Sequence, residues 1–381
     1  MSLSAGKLNL FYQLLFQVFI FLLPTQLAYH FWPDWALIYG IRVDYLAPAI
    51  YLTDILLVII FIIFLINHKL KSFPWWLIIF AAINILISLR WQIALFKWLK
   101  IGELFLLGYM VAKDKSLEII KPLAVSVVFF TLLAFIQIYL GHTVGGLFYW
   151  LGERTFNTTT PGISLINIFD KTYLKAYSTF SHPNSMAGFL GVSLLLFILN
   201  KKNWVARIFS VLGISATFSL GAIIGLVFRK IPGYFIFLLI LMSLLMPVIS
   251  LQLLNINYPE NITNRFVLFV ASGEMFSSHF LFGVGLNNFI VGLSQITVNA
   301  KRVWLLQPVH NVVSLIMSEV GLVGLIIFAF GLFKLFKRFD TRYLPIFVFI
   351  AVTGMVDHYW FTLQQNLLLL ALVVGLSFRH K

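Results

Sequence analysis

The sequence predicts an all-α, polytopic integral membrane protein of about 12 transmembrane helices, with two long extracytoplasmic loops. Three observations predict it. Apolar residues make up 61% of the 381-residue chain and charged residues 10%, against roughly half and a quarter in soluble domains, so a water-soluble fold could not hide the apolar surface. Those residues come in unbroken runs, such as 50–66 and 234–254, which suit helices and lack the alternation of barrel strands. Finally, the basic residues sort to one side of the runs, as they do in inserted proteins.

Taken in order, the first run, 9–25, follows Lys7 and resembles a signal peptide. Because span follows span after it, it reads as a retained first helix. Spans are expected at 50–67, 74–89, 92–112 and 119–140, then at 184–200. The stretch 204–229 has Lys201, Lys202 and Arg207 at its start and Arg229 and Lys230 at its end. A single crossing would put one basic cluster outside. Two short helices, 204–218 and 220–229, turning at Ser219-Leu220-Gly221, keep both inside. Spans at 232–254, 309–333, 343–359 and 363–378 complete the set.

With that hairpin, most of the 27 Lys and Arg fall on the cytoplasmic side. The net charge of +14 is then topology rather than a nucleic-acid surface. Residues 1–381 read as one membrane domain, and no Rossmann, Walker or paired-cysteine metal motif appears. The absence of cysteine removes disulfides and thiolate ligands, and neither a cofactor nor a metal is expected. Two loops, 141–183 and 255–308, are long and rich in Asn, Thr, Ser, Gly and Pro, and a shorter connection spans 28–48. Long ordered loops carry function more often than not, so the chemistry is expected at the extracytoplasmic face.

The first candidate group begins at Pro308-Val309-His310-Asn311. On a helix, His310, Ser314, Met317, Gly321 and Gly324 share one face, and the small residues let a neighbouring helix approach closely. In a first turn, His310 meets the positive end of the helix dipole, which favours neutral imidazole and a nearby anion. The alternative is a histidine that only anchors a helix at the membrane interface.

His-Asn, nine residues and then Gly-x-x-Gly resembles the signature of the O-antigen ligase and O-antigen polymerase superfamily. Further segments are similar to that family in the same order. They are Thr179-Phe180-Ser181-His182-Pro183-Asn184, Asn264-Arg265-Phe266, the run from Leu281-Phe282-Gly283-Val284-Gly285 to Phe289, and Asp357-His358-Tyr359. The likeness covers most of the chain and is strongest over 203–330. It implies transfer of a glycan from a polyprenyl diphosphate carrier to a hydroxyl of a lipid or glycan acceptor, at the outer face of the cytoplasmic membrane, without nucleotide or metal. His310 would be the base, and Arg265 would hold the diphosphate. Asn311, Lys301, Arg302, His182, Asn184, Arg154 and Asp357 are the further candidates for substrate contact. One position departs from the pattern. Thr217-Phe218-Ser219-Leu220-Gly221 carries Leu220 where the family has an arginine, so Arg154, Lys171 or Lys175 is left to substitute.

Several candidates have a plainer alternative. Asn184 reads first as a helix cap, Lys301-Arg302 first as a solvated pair, and Asp357 equally as an interfacial helix-end acid. Lys100 and Glu103 lie at i, i+3 with Lys97 in the same span, which suggests mutual neutralisation. A repeat-unit polymerase would use the same site. From another class, a transporter or flippase of lipid-linked sugars would need ionisable residues at mid-depth.

Overall fold

The computed structural model describes residues 5–68, 75–201, 203–296 and 305–379. These are mostly helical, 68% against 6% strand, which rules out a barrel and agrees with the apolar runs. The helices are α1 Ala5–Phe21, α2 Leu52–Asn67, α3 Trp75–Leu86, α4 Trp91–Lys113, α5 Ile120–Leu140, α6 Pro183–Leu199, α7 Trp204–Thr217, α8 Leu220–Phe228 and α9 Tyr234–Leu253. They continue with α10 Glu260–Ser278, α11 Phe289–Gln295, α12 Val312–Arg338, α13 Leu344–Gly354, α14 Tyr359–Thr362 and α15 Gln364–Ser377. Each expected span coincides with a helix. Three of them, α5, α9 and α12, are long and apolar enough to cross a membrane by length and composition.

The expected hairpin is formed by α7 and α8. Its tip lies beside the 141–182 segment, where Ala176 N–H donates to Ala216 O at 3.0 Å. The connection 28–48 folds into two small antiparallel ladders: β1 Ala28–His30 pairs with β4 Ala49–Tyr51, and β2 Leu37–Ile38 with β3 Ile41–Arg42. Arg90 fastens it to the helices by donating to Trp35 O at 2.6 Å and Leu37 O at 2.8 Å. A third ladder, β5 Leu165–Ile168 with β6 Lys171–Leu174, stands in the 141–182 segment.

The main core is built of large side chains, Phe16, Phe19, Phe189, Phe197 and Phe349 among them, from α1, α6 and α13. Among apolar surroundings the driving force is close packing rather than loss of water, so helices approach over small residues. At the α4–α15 crossing a Cβ on Gly375 would lie 2.6 Å from Gly108 O.

Two features of the second long segment differ from the expectation. The stretch 255–308 is not all loop: it contains α10, packed along α9 and α12, and the short α11. The polar opening of α10, Glu260-Asn261-Ile262-Thr263-Asn264-Arg265, hides its helix from an apolar-run reading. The role of Gly321 also differs. It sits at φ 63°, ψ −164° inside α12 and breaks the helix, a backbone region open only to glycine. The run 280–285 lies in the break, with Val284 and Gly285 N–H donating to Ser318 O and Glu319 O at 2.9 and 3.0 Å. Leu322 and Val323 N–H donate to Phe280 O and Leu281 O at 2.9 and 3.0 Å. Asn84, fully buried, locks this seam by donating to Phe282 O and Glu319 O and accepting from Leu286 N–H and Trp98 Nε1. Gly321 thus serves a backbone seam rather than a smooth helix face.

Candidate active site

A cavity of about 550 Å³ opens where the 28–48 connection, the 141–182 segment, α10 and the turn between α13 and α14 meet. It lies at the same end of the bundle as the α7–α8 tip. His310, Asp357, Arg265, Arg154, His182 and Asn184 all line it. The candidates come from segments far apart in sequence, and folding brings them to one cavity.

Asp357 is the hub. It lies in the turn between α13 and α14 and is 7% exposed. Its Oδ2 accepts from Asn184 Nδ2 at 3.0 Å and its Oδ1 from His358 N–H at 2.8 Å. The same Oδ1 stands 3.7 Å from His310 Nδ1, an ion-pair distance rather than a hydrogen bond. Burial alone would raise this carboxyl, but His310, His358 and His182 outweigh it and hold Asp357 well below the usual carboxylate range. It is therefore an anion facing an imidazole, the geometry that orients a base and stabilises its protonated form.

His310 is not in a helical turn as expected. It precedes α12 by two residues, and Asn311 makes the cap: its Oδ1 accepts from Ser314 N–H at 3.0 Å and its C=O from Leu315 N–H at 3.0 Å. Asn311 Nδ2 donates to Ser243 Oγ and Met355 O. Asn311 is thus spent on holding α12, α9 and the Met355 turn together, and it does not line the cavity. By capping it sets where His310 stands.

The remaining groups surround this pair. His182 caps α6, its Nδ1 accepting from Asn184 N–H at 3.1 Å, which leaves the Nε2 proton on a neutral ring. Enclosure by protein lowers its pKa. Arg154 donates to Ser181 O at 2.8 Å and Arg265 to Val356 O at 3.2 Å, so each guanidinium is held by one backbone carbonyl while lining the cavity. Leu220, at the hairpin tip, is 73% exposed and does not line it. Lys301 and Arg302 lie outside the described residues.

Sequence reasoning passed over His358, although the ring stands 5.3 Å from that of His310. Its Nδ1 is 2.8 Å from Thr362 Oγ1, and that hydroxyl also donates to His358 O. Burial pushes His358 down to about 3 despite Asp357, so it stays neutral at physiological pH. His310, Asp357 and His358 place three potential ligand atoms within 4.8 Å of one another. Arg154, Arg265 and Lys97 on the same walls oppose a bound cation. Tyr45 and Asp44, from the 28–48 connection, were also missed. The signal available was that this connection is the third-longest stretch between apolar runs.

No protein-family model and no curated protein matches the chain.

Proposed function

We propose that the protein transfers a glycan from a polyprenyl diphosphate carrier to an acceptor hydroxyl at the outer face of the cytoplasmic membrane. The observation that carries this reading is the convergence, in one cavity, of a His310–Asp357 pair with the guanidiniums of Arg265 and Arg154. The resemblance noted in the sequence points the same way, and the helix pattern supports a polytopic chain of about 12 spans.

In the proposed reaction the acceptor oxygen attacks the anomeric carbon, its proton passing to His310. With Nδ1 turned to Asp357, Nε2 is the nitrogen that takes it, and Asp357 stabilises the imidazolium so formed. The bond from the anomeric carbon to the diphosphate breaks on the opposite face, which inverts that carbon, and the diphosphate leaves with the electron pair. Arg265 and Arg154 meet the charge that grows there, and a guanidinium fork matches two phosphate oxygens. Arg154 supplies the second cation that Leu220 does not.

The test is transfer by full-length protein in lipid vesicles, with a polyprenyl diphosphate saccharide as donor. His310→Ala is expected to lose about 10²–10⁴-fold in turnover and Arg265→Ala to lose turnover as well, both with the protein inserted. Unchanged transfer by inserted His310→Ala removes the base assignment. A second reading, a flippase for lipid-linked sugars, is favoured by Lys97, Asp54, Lys100, Glu103 and Glu319, ionisable groups inside helices. It predicts that the donor crosses the vesicle bilayer at the wild-type rate in His310→Ala.

A further inference from the structure

The cavity reaches α4, where Lys97 and Lys100 line it three residues apart. The two lysines are not equivalent. Lys100 is neutralised: it pairs with Asp54, which Gln364 also holds at 2.6 Å, and with Glu103 at 3.3 Å. Lys97 is 8% exposed, and no carboxylate stands within ion-pair distance of its ammonium among the described residues. It donates to Phe361 O at 2.6 Å and lies 5.2 Å from the centre of the Phe361 ring. Glu319 attracts it only from farther away. A buried ammonium with one carbonyl partner has donors to spare, and inside a membrane protein such a group marks a binding site by default.

Its position says what it would bind. Arg265 holds the carbonyl of Val356 and Lys97 that of Phe361, so the two cations grip opposite ends of the segment carrying Asp357 and His358. Arg265 and Arg154 already supply the forks suited to a diphosphate. Lysine is a compact point charge on a flexible stem, which can meet a single anionic oxygen without the fork geometry that a diphosphate uses. The same cavity is also lined by Phe96, Tyr51 and Gln364, which stand around Lys100 and its partner Asp54, an apolar and hydrogen-bonding surface of the kind that receives a sugar ring.

We infer that Lys97 forms a second anion subsite, which recognises the carboxylate of an acidic sugar in the saccharide being joined. The inference rests on reading the cavity as a glycan-transfer site, but its test is binding and needs no turnover. A glucuronic acid glycoside, its methyl ester and inorganic pyrophosphate are titrated into full-length protein in detergent. Wild type is expected to bind the acid about tenfold more tightly than the ester, as a charge-assisted contact should. Lys97→Gln loses that preference and keeps pyrophosphate binding, whereas Arg265→Ala does the reverse. If Lys97→Gln does not fold, Lys97→Met with Glu319→Gln removes the lysine together with the carboxylate that attracts it and serves in its place. Equal binding of acid and ester by wild type overturns the subsite. So does an acid preference that survives loss of Lys97, or loss of pyrophosphate in the Lys97 variant, which would assign the lysine to the carrier's diphosphate. Failed transfer with an intact acid preference would count against the proposed reaction alone.

Discussion

His358 shows how one buried side chain ties the site to acid. Free imidazole titrates near 6.5, and burial brings His358 down to about 3. Between those values the unfolded chain binds a proton that the folded one does not, so stability falls as pH drops through that window. Asp357 acts lower on the scale. Its carboxyl is held below the usual range, so its contribution is complete above about pH 4 and is lost only in stronger acid. In the span from pH 6.5 to 4.5 His182, whose pKa enclosure also lowers, acts in the same direction, so the difference between wild type and a His358 variant reads the share of His358. Thermal unfolding in detergent is expected to show a Tm that falls with acid in wild type and is markedly flatter in His358→Gln. Equal slopes would mean that the ring is not held neutral. Asp357→Asn addresses its neighbour: Asn184 keeps a partner, but the imidazolium formed at His310 loses its counter-charge. Vesicle transfer is expected to fall at least about tenfold, with the protein still inserted.

At the scale of elements, the seam between α12 and residues 280–285 shows both the reach and the limit of reading glycines in a sequence. Gly321 and Gly283 stand out as a pattern, and both prove to be required, but for a backbone crossing that no spacing rule describes. A Cβ on Gly321 would lie 2.5 Å from Gly283 N, and one on Gly283 would lie 2.4 Å from Glu319 C, in each case against main chain that cannot swing aside. Gly331, farther along α12, has nothing within 4 Å of the added atom. Gly321→Ala is expected to cost about 1–3 kcal/mol from backbone conformation alone, with the clash in addition. Gly331→Ala should be neutral or stabilise by up to about 1 kcal/mol. Unfolding midpoints of the two variants check the contrast, and equal shifts would refute the seam. The helix start at α12 was misplaced for a related reason: Asn311 was read beside His310 as a substrate contact, whereas its carboxamide caps the helix. Capping and catalysis draw on the same polar residue types, and only the partner atoms separate them.

Across the whole molecule, helix positions were legible because an apolar run is a one-dimensional signal, and the break between α7 and α8 was legible from the basic residues at both ends of the stretch 204–229. The cavity was legible only in its parts, since His182, Arg265, His310 and Asp357 reach it from four separate places in the chain. Lys97 was misread beside Lys100 and Glu103 because spacing along one helix cannot show which ammonium a distant Asp54 neutralises. One global consequence can be measured directly. The chain has no cysteine, so single cysteines report sidedness without background. Thr172 is exposed on β6, at the cavity end, and Lys115 is exposed in the turn between α4 and α5, at the other. If the bundle spans the membrane with its site outward, a membrane-impermeant maleimide labels Thr172→Cys in intact cells. Lys115→Cys then reacts only after the membrane is opened. The reverse pattern would put His310 in the cytosol, where an outward-facing transferase cannot work, yet would leave the spanning bundle intact. Labelling of both from outside would place the two ends on one side, and the spanning arrangement itself would have to be given up.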